Sequence, residues 1–187
     1  EAGIKFSSPD GDTQFTAAVF DIRQQNVVVN TADFMQYTQT GEVSSEGIEL
    51  ALNTRLTDSL SVQASYNQQD VEVSKNPLDA GLVGKTPVWV ADKQASVWAT
   101  YYLNHSLDIS LGARHVGDSQ LDAQNSDTIP GYTLVDMAAS YEINDDYRLG
   151  LTLSNLTDKR YVAACYNANN CWMGAEPSAE LSLHMDF

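Results

Sequence analysis

An all-β, antiparallel fold is predicted for this chain, and three observations predict it. Apolar and polar residues alternate with a period of two along several stretches. The connections between those stretches run alternately short and long. The composition, rich in Ser, Thr, Gln and Asn with nine Tyr, lacks the Ala, Leu, Glu and Lys density of helical proteins.

In chain order, Ile4 marks a first strand, and residues 13–28 form a second that is strand-like but loosely phased. Ile48, Leu50 and Leu52 alternate with Glu49, Ala51 and Asn53 in a third, and Leu60, Val62, Ala64 and Tyr66 alternate with Ser61, Gln63, Ser65 and Asn67 in a fourth. The fifth, over 93–103, is ambiguous, because Ala95, Val97, Ala99 and Tyr101 fit one face while Trp98 and Tyr102 sit on the other. Alternation is cleanest in the sixth, through Leu107, Ile109, Leu111 and Ala113. Val135, Met137, Ala139, Tyr141 and Ile143 build a seventh, Tyr147, Leu149, Leu151 and Leu153 an eighth, and Leu181, Leu183, Met185 and Phe187 a ninth.

The short connections are Ser7 to Asp12, Thr57 to Ser59, Asn104 to Ser106 and Asn144 to Asp146, all with the turn residues that antiparallel hairpins require. The long ones are 29–44, 75–92, 118–131 and 157–176. Tight turns at one rim and long loops at the other are the hairpin pattern of a transmembrane barrel. Periodicity leaves open which face is wet, since a soluble barrel or sandwich with an apolar interior alternates in the same way. Asp108, Asp136, Glu142, Arg148, Glu180 and Asp186 lie among Ser, Thr and Gln on the polar face. They suit a water-filled or plugged lumen, which places the apolar face against lipid.

Charge and hydropathy exclude other classes. With 25 acidic and 10 basic side chains, a net charge of −15 in 187 residues, the chain repels phosphate backbones, and no nucleic-acid partner is expected. A spanning helix needs about 20 apolar residues, and the longest apolar run is Tyr161 to Tyr166. Glu1-Ala-Gly-Ile-Lys-Phe has no charged n-region or apolar h-region, so a mature chain or a fragment is expected.

The stretch Asn155-Leu-Thr-Asp-Lys-Arg-Tyr-Val-Ala-Ala-Cys-Tyr, then Cys171-Trp-Met-Gly-Ala-Glu, then a last alternating strand ending in Phe187, resembles the end of TonB-dependent outer-membrane siderophore receptors of the ferrichrome type. Glu1-Ala-Gly-Ile-Lys-Phe, Glu46-Gly-Ile-Glu-Leu, Ala95-Ser-Val-Trp-Ala-Thr-Tyr and Gly131-Tyr-Thr-Leu-Val-Asp support it, and the likeness covers essentially all of residues 1–187. Two departures fall at loop-strand junctions, where Val90-Ala91-Asp92 replaces a usual Pro and Pro177 follows Gly-Ala-Glu.

The resemblance implies that residues 1–187 are the last nine strands of a 22-stranded barrel, a size class whose lumen is plugged. The plug and coupling box lie outside this chain. It implies a ferric siderophore as cargo, the TonB complex, outer-membrane lipid and the barrel assembly machinery as partners, and a place in the bacterial outer membrane. No cofactor, no metal site and no enzymatic activity are expected. Haem, cobalamin or a sugar as cargo, a passive porin and an outer-membrane hydrolase are the alternatives.

Cys165 and Cys171, an even count in an exported chain, read as one disulfide. Two thiols without a His or carboxylate cluster cannot complete a tetrahedral metal set. His105, His115 and His184 form no catalytic constellation, His115 with Asp118 being the single hydrolase candidate. Asp10-Gly11-Asp12 reads as a tight turn rather than a calcium loop, and Asn155-Leu-Thr matches a glycosylation sequon at chance level. Of the loop aromatics Phe34, Tyr37, Trp89, Tyr132, Tyr166 and Trp172, most are expected in an interfacial girdle or in loop packing. By its family position Tyr166 is expected to contact the ligand, with Trp172 beside it or packed beneath the loop. Phe187 is expected to be the terminal aromatic that barrel assembly reads.

Overall fold

Alternating strands joined by hairpins can build a sheet one layer thick. The computed structural model, which describes residues 1–31 and 35–185, is such a sheet. Its strands in chain order are β1 (Ala2–Ser7), β2 (Thr13–Asn30), β3 (Tyr37–Thr57), β4 (Leu60–Lys75), β5 (Lys93–Tyr102), β6 (Leu107–Val116), β7 (Ser119–Gln120), β8 (Thr128–Ile129), β9 (Tyr132–Asn144), β10 (Tyr147–Ser154), β11 (Val162–Asn167), β12 (Asn170–Met173) and β13 (Ser178–Met185). Nine of them form one antiparallel sheet in the order β1-β2-β3-β4-β5-β6-β9-β10-β13. The pairs β7-β8 and β11-β12 are separate hairpins inside the long connections, and a 3₁₀ turn, Ala80–Leu82, lies in another.

Cross-strand register resolves the two faces. One continuous row, Phe6, Phe15, Leu52, Ala64, Val97, Ala113 and Val135, crosses seven strands on a single face. A second row on that face runs Leu60, Tyr101, Ile109, Ala139, Leu151 and Leu181. Leu181, at 69 % exposure, and Leu111 and Leu183 are among many large apolar side chains on this face with no protein over them. The opposite face carries the row Thr16, Ala51, Ser65, Ser96 and Arg114, which borders an open hollow of about 550 Å³. Hydroxyl pairs tie its neighbours together, Ser65 to Ser96 and Thr100 to Ser110, each at 2.8 Å.

The fifth strand's ambiguity has a local cause. Trp98 stands on the polar face opposite Gly112, where a Cβ would lie 2.4 Å from the indole. Glycine there leaves the space that the ring fills.

Strand lengths divide the sheet into a low and a high part. β5 and β6, ten residues each, have the length that a hydrocarbon layer requires at about 3.3 Å per residue. β2 and β3 have 18 and 21 residues. With the end of β4 they continue past β5 as a three-stranded fin at the long-loop rim. This corrects the predicted loop 29–44: β3 begins at Tyr37, and the connection is only 31–36. Neither face of the fin is uniformly apolar, so alternation fades while Thr38, Thr40 and their neighbours keep strand propensity. The ladder slips at Asn26, which has a φ of 57°, and Val29 is buried against Gly41. The other predicted connections agree with the structure, and the short-turn rim is closed by compact turns. At Asp10 the carboxylate accepts from the Ser8 hydroxyl and the Asp12 N–H, which holds its pKa below the usual value.

A single layer has no interior of its own. The buried apolar side chains among the described residues, Val29, Leu82, Ala91, Ile129, Leu134 and Cys165, all sit in the fin, the long connections or the strand ends that meet them. Packing is therefore concentrated at the long-loop rim.

Candidate functional site

The last long connection, 155–177, is too long to stand without internal structure. Residues Val162–Asn167 and Asn170–Met173 pair as the β11-β12 hairpin, with Cys165 opposite Cys171 and bridged to it. The ladder slips between Cys165 and Asn167, making Tyr166 the extra residue of a bulge, a device that re-aims a side chain. Cys165 is buried while Tyr166 and Trp172 are 58 % and 51 % exposed. The bridge thus joins a buried Cys165 to an exposed Cys171, and both aromatics stand exposed at the rim.

The neighbouring connection, 76–92, reaches this hairpin through one side chain. Trp89 donates its indole N–H to the Cys165 carbonyl at 2.8 Å and meets Trp172 edge to face, with centroids 6.4 Å apart and planes at 83°. The 117–131 connection is tied to the same loop by Asn125, whose amide accepts from Thr86 N at 2.8 Å and donates to Thr86 O at 2.9 Å. Asn125 holds a φ of 56°, which asparagine tolerates better than most residues. Within its turn, Asp122 accepts from the Ser126 hydroxyl first, then from the Ser126 and Gln124 N–H groups, and its pKa lies below the usual carboxylate value.

The hairpin's base is a polar knot. Asn155, only 2 % exposed with a φ of 54°, donates to the carbonyls of Lys159 and Ala175, each at 3.1 Å, and accepts from Lys159 N at 2.8 Å. Its own N–H donates to Asp136 at 2.8 Å, and the other oxygen of Asp136 accepts from Arg114 Nε at 2.8 Å. Tyr161 stacks on Tyr132 at 3.9 Å and covers Gly174, where a Cβ would fall 1.9 Å from the ring. Three sequence motifs meet here: Gly131 to Asp136, Asn155 to Tyr161, and Cys171 to Glu176. The asparagine of the apparent sequon is thereby committed to holding both ends of the loop.

Tyr166 and Trp172, expected at the ligand, both lie on the β11-β12 hairpin, where Trp172 stands opposite Ala164 and meets Trp89. Trp89, expected in a girdle or in loop packing, is instead the bridge between two connections, and Asp136 anchors the knot besides facing the polar side. Only register and long-range contact reveal either role. His115 and Asp118 are not brought together, for His115 pairs with the Thr133 hydroxyl and Asp118 accepts from Gly131 N. No group of three His, Cys, Asp or Glu able to hold a metal occurs among the described residues. Phe34, Asp186 and Phe187, the expected assembly signal, lie outside the described residues.

Comparison with known proteins identifies what this chain is similar to. Residues 1–156 match a family described as TonB dependent receptor-like, beta-barrel. The chain is 38 % identical over 187 residues to the Ferrioxamine B receptor of Salmonella typhimurium, covering 95 % of this chain and 26 % of that protein. It is 30 % identical to the Ferrichrome outer membrane transporter/phage receptor of Escherichia coli K12, over 94 % and 24 % of the two chains. The crystal structure of the siderophore receptor PiuA from Acinetobacter baumannii superposes with a TM-score of 0.79 at 29 % identity, covering 98 % of this chain and 27 % of that one. The chain spans about a quarter of the length of these relatives.

Proposed function

Because this chain belongs to the TonB-dependent receptor β-barrel family of the bacterial outer membrane, we propose that it is the C-terminal wall of a receptor that binds and imports a ferric siderophore. The family is one of receptors, not of enzymes. The whole receptor would hold a plug within a barrel of about 22 strands, draw energy from the TonB complex through a region outside residues 1–187, and depend on the barrel assembly machinery. The exposed apolar face would meet lipid. No cofactor is required, since iron arrives as part of the cargo. The relatives' names, ferrioxamine B and ferrichrome receptors among them, support this cargo class.

The observation that carries the site is the disulfide-closed hairpin at the long-loop rim, which presents Tyr166 and Trp172 half exposed next to Trp89. Aromatic rings on a closed loop offer apolar area at low ordering cost, and that is what capture of a partly apolar chelate needs. The long-loop rim is then the outer one. The test uses the full-length receptor in a strain lacking its own siderophore receptors. Uptake of radiolabelled iron from ferrioxamine B or ferrichrome supports the reading. An assembled receptor that takes up only haem or cobalamin overturns it. Cysteine reporters at Asp127 and Asp145 check sidedness, with labelling of intact cells expected at the first position alone.

A further inference from the structure

We infer that Trp89 is a positioning residue for cargo capture, acting through the β11-β12 hairpin, an assignment that rests on the receptor reading above. The first observation is its backbone. Trp89 holds a φ of 65°, a left-handed conformation that a bulky side chain adopts only when its surroundings enforce it. The second is what enforces it. The loop around Trp89 is fixed on one side by Thr86, held on both its N–H and C=O by Asn125. It is fixed on the other by Ala91, whose carbonyl accepts from Gln69, and by Asp92, whose N–H donates to Asp118. Between these points the indole turns away from its own loop to the Cys165 carbonyl at 2.8 Å.

That acceptor decides the role. Cys165 is the buried half of the disulfide and the residue before Tyr166, so the Trp89 bond sets the position of the hairpin one residue from the exposed ring. A hairpin of this length is marginal alone, and the disulfide fixes its shape but not its direction relative to the wall. Trp89 supplies the direction: the N–H holds the backbone, and the edge-to-face contact holds Trp172 on the facing strand. The strained backbone is thus spent on orienting a loop in the neighbouring hairpin.

The experiment compares the unaltered full-length receptor with Trp89→Phe, which keeps an aromatic face at the rim and removes the N–H donor. Amide hydrogen exchange of residues 162–173 in detergent-solubilised receptor is expected to quicken by about fivefold to tenfold, the loss of one hydrogen bond, with residues 93–116 of the wall unchanged. Binding of iron-loaded ferrioxamine B is expected to weaken by a similar factor. Tyr166→Ala should then cause less than half the loss in the Trp89→Phe background that it causes alone. Unchanged exchange in 162–173 overturns the assignment whatever the cargo. Fully additive binding losses also overturn it, since they mean that Trp89 and Tyr166 act independently. Absence of ferrioxamine B and ferrichrome binding by the unaltered receptor, with exchange responding to Trp89→Phe, rejects the cargo reading instead.

Discussion

The fin of β2, β3 and β4 and the β11-β12 hairpin both project beyond the membrane-spanning part of the sheet, yet they stand for different reasons. In the fin the wall's own ladder runs on, from Asp21 opposite Glu46 up to Asn30 opposite Tyr37, and from Ser44 opposite Glu72 along β4. Backbone hydrogen bonds supply most of the support, and side chains add to it at the slip beside Asn26, at the packing of Val29 on Gly41 and at Asn76, whose amide donates to the Asn30 carbonyl at 2.9 Å. The hairpin has four registered pairs, broken by two slips, and is not part of the main sheet. It is held by a covalent bridge, by Trp89 from the next connection and by Asn155 at its base. An element that extends a sheet inherits stability, whereas one that leaves it must be tied down by tertiary contacts.

That contrast can be broken at graded points. The largest effect is expected where both regions share their foundation. Leu111→Arg on the apolar face should cost about 2 to 4 kcal/mol in the assembled receptor, and Ser110→Arg on the polar face much less, as read by unfolding in lipid bilayers. Equal costs on both faces would mean that the apolar face does not meet lipid. Next, Asn155→Ala removes three side-chain hydrogen bonds at a positive φ, and about 2 to 3 kcal/mol of local stability should be lost. Hydrogen exchange should show this in residues 156–177 and leave 37–47 of the fin untouched. Protection lost equally in both would make the two projections one cooperative unit.

Opening the Cys165–Cys171 bridge, by reduction or by paired Ser substitution, should release about 2 kcal/mol of loop restraint confined to the hairpin. Siderophore binding should fall while the melting temperature of the barrel stays in place. Tyr166→Ala should weaken siderophore binding by about 1 to 2 kcal/mol, a modest hot-spot loss, with assembly and heat stability preserved. Unaltered affinity there would move cargo contact elsewhere. The smallest effect concerns pH. Asp122 has its pKa depressed by the Ser126 hydroxyl, so its contribution to the 117–131 loop is present above the unfolded value near 3.8 and is lost as pH falls through the lower folded value. Exchange in residues 119–129 should quicken only below that range, and Asp122→Asn should remove the dependence.

Residues differ in how far the sequence exposes their role. Leu111, Val135 and Leu183 are legible as a face because the period of a strand is two, and the register keeps them on it. The bridge between Cys165 and Cys171 is legible from an even count and an exported setting. The reach of β3 down to Tyr37 is not, since above the membrane neither face is uniformly apolar and periodicity loses its meaning. Trp89 and Asn155 are opaque for another reason. Their partners lie 76 residues away at Cys165 and 20 residues away at Ala175, and no local pattern encodes such pairs.

By itself, then, the sequence determined the all-β class, the alternation of short and long connections, the apolar face and the family, because each is written in local spacing or contiguous motifs. The tertiary structure alone decided how high the fin rises, that Gly112 makes room for Trp98 and what holds the last loop over the rim. Those outcomes depend on strand register and on hydrogen bonds between distant segments. Both arise only once the backbone ladder has brought the segments together.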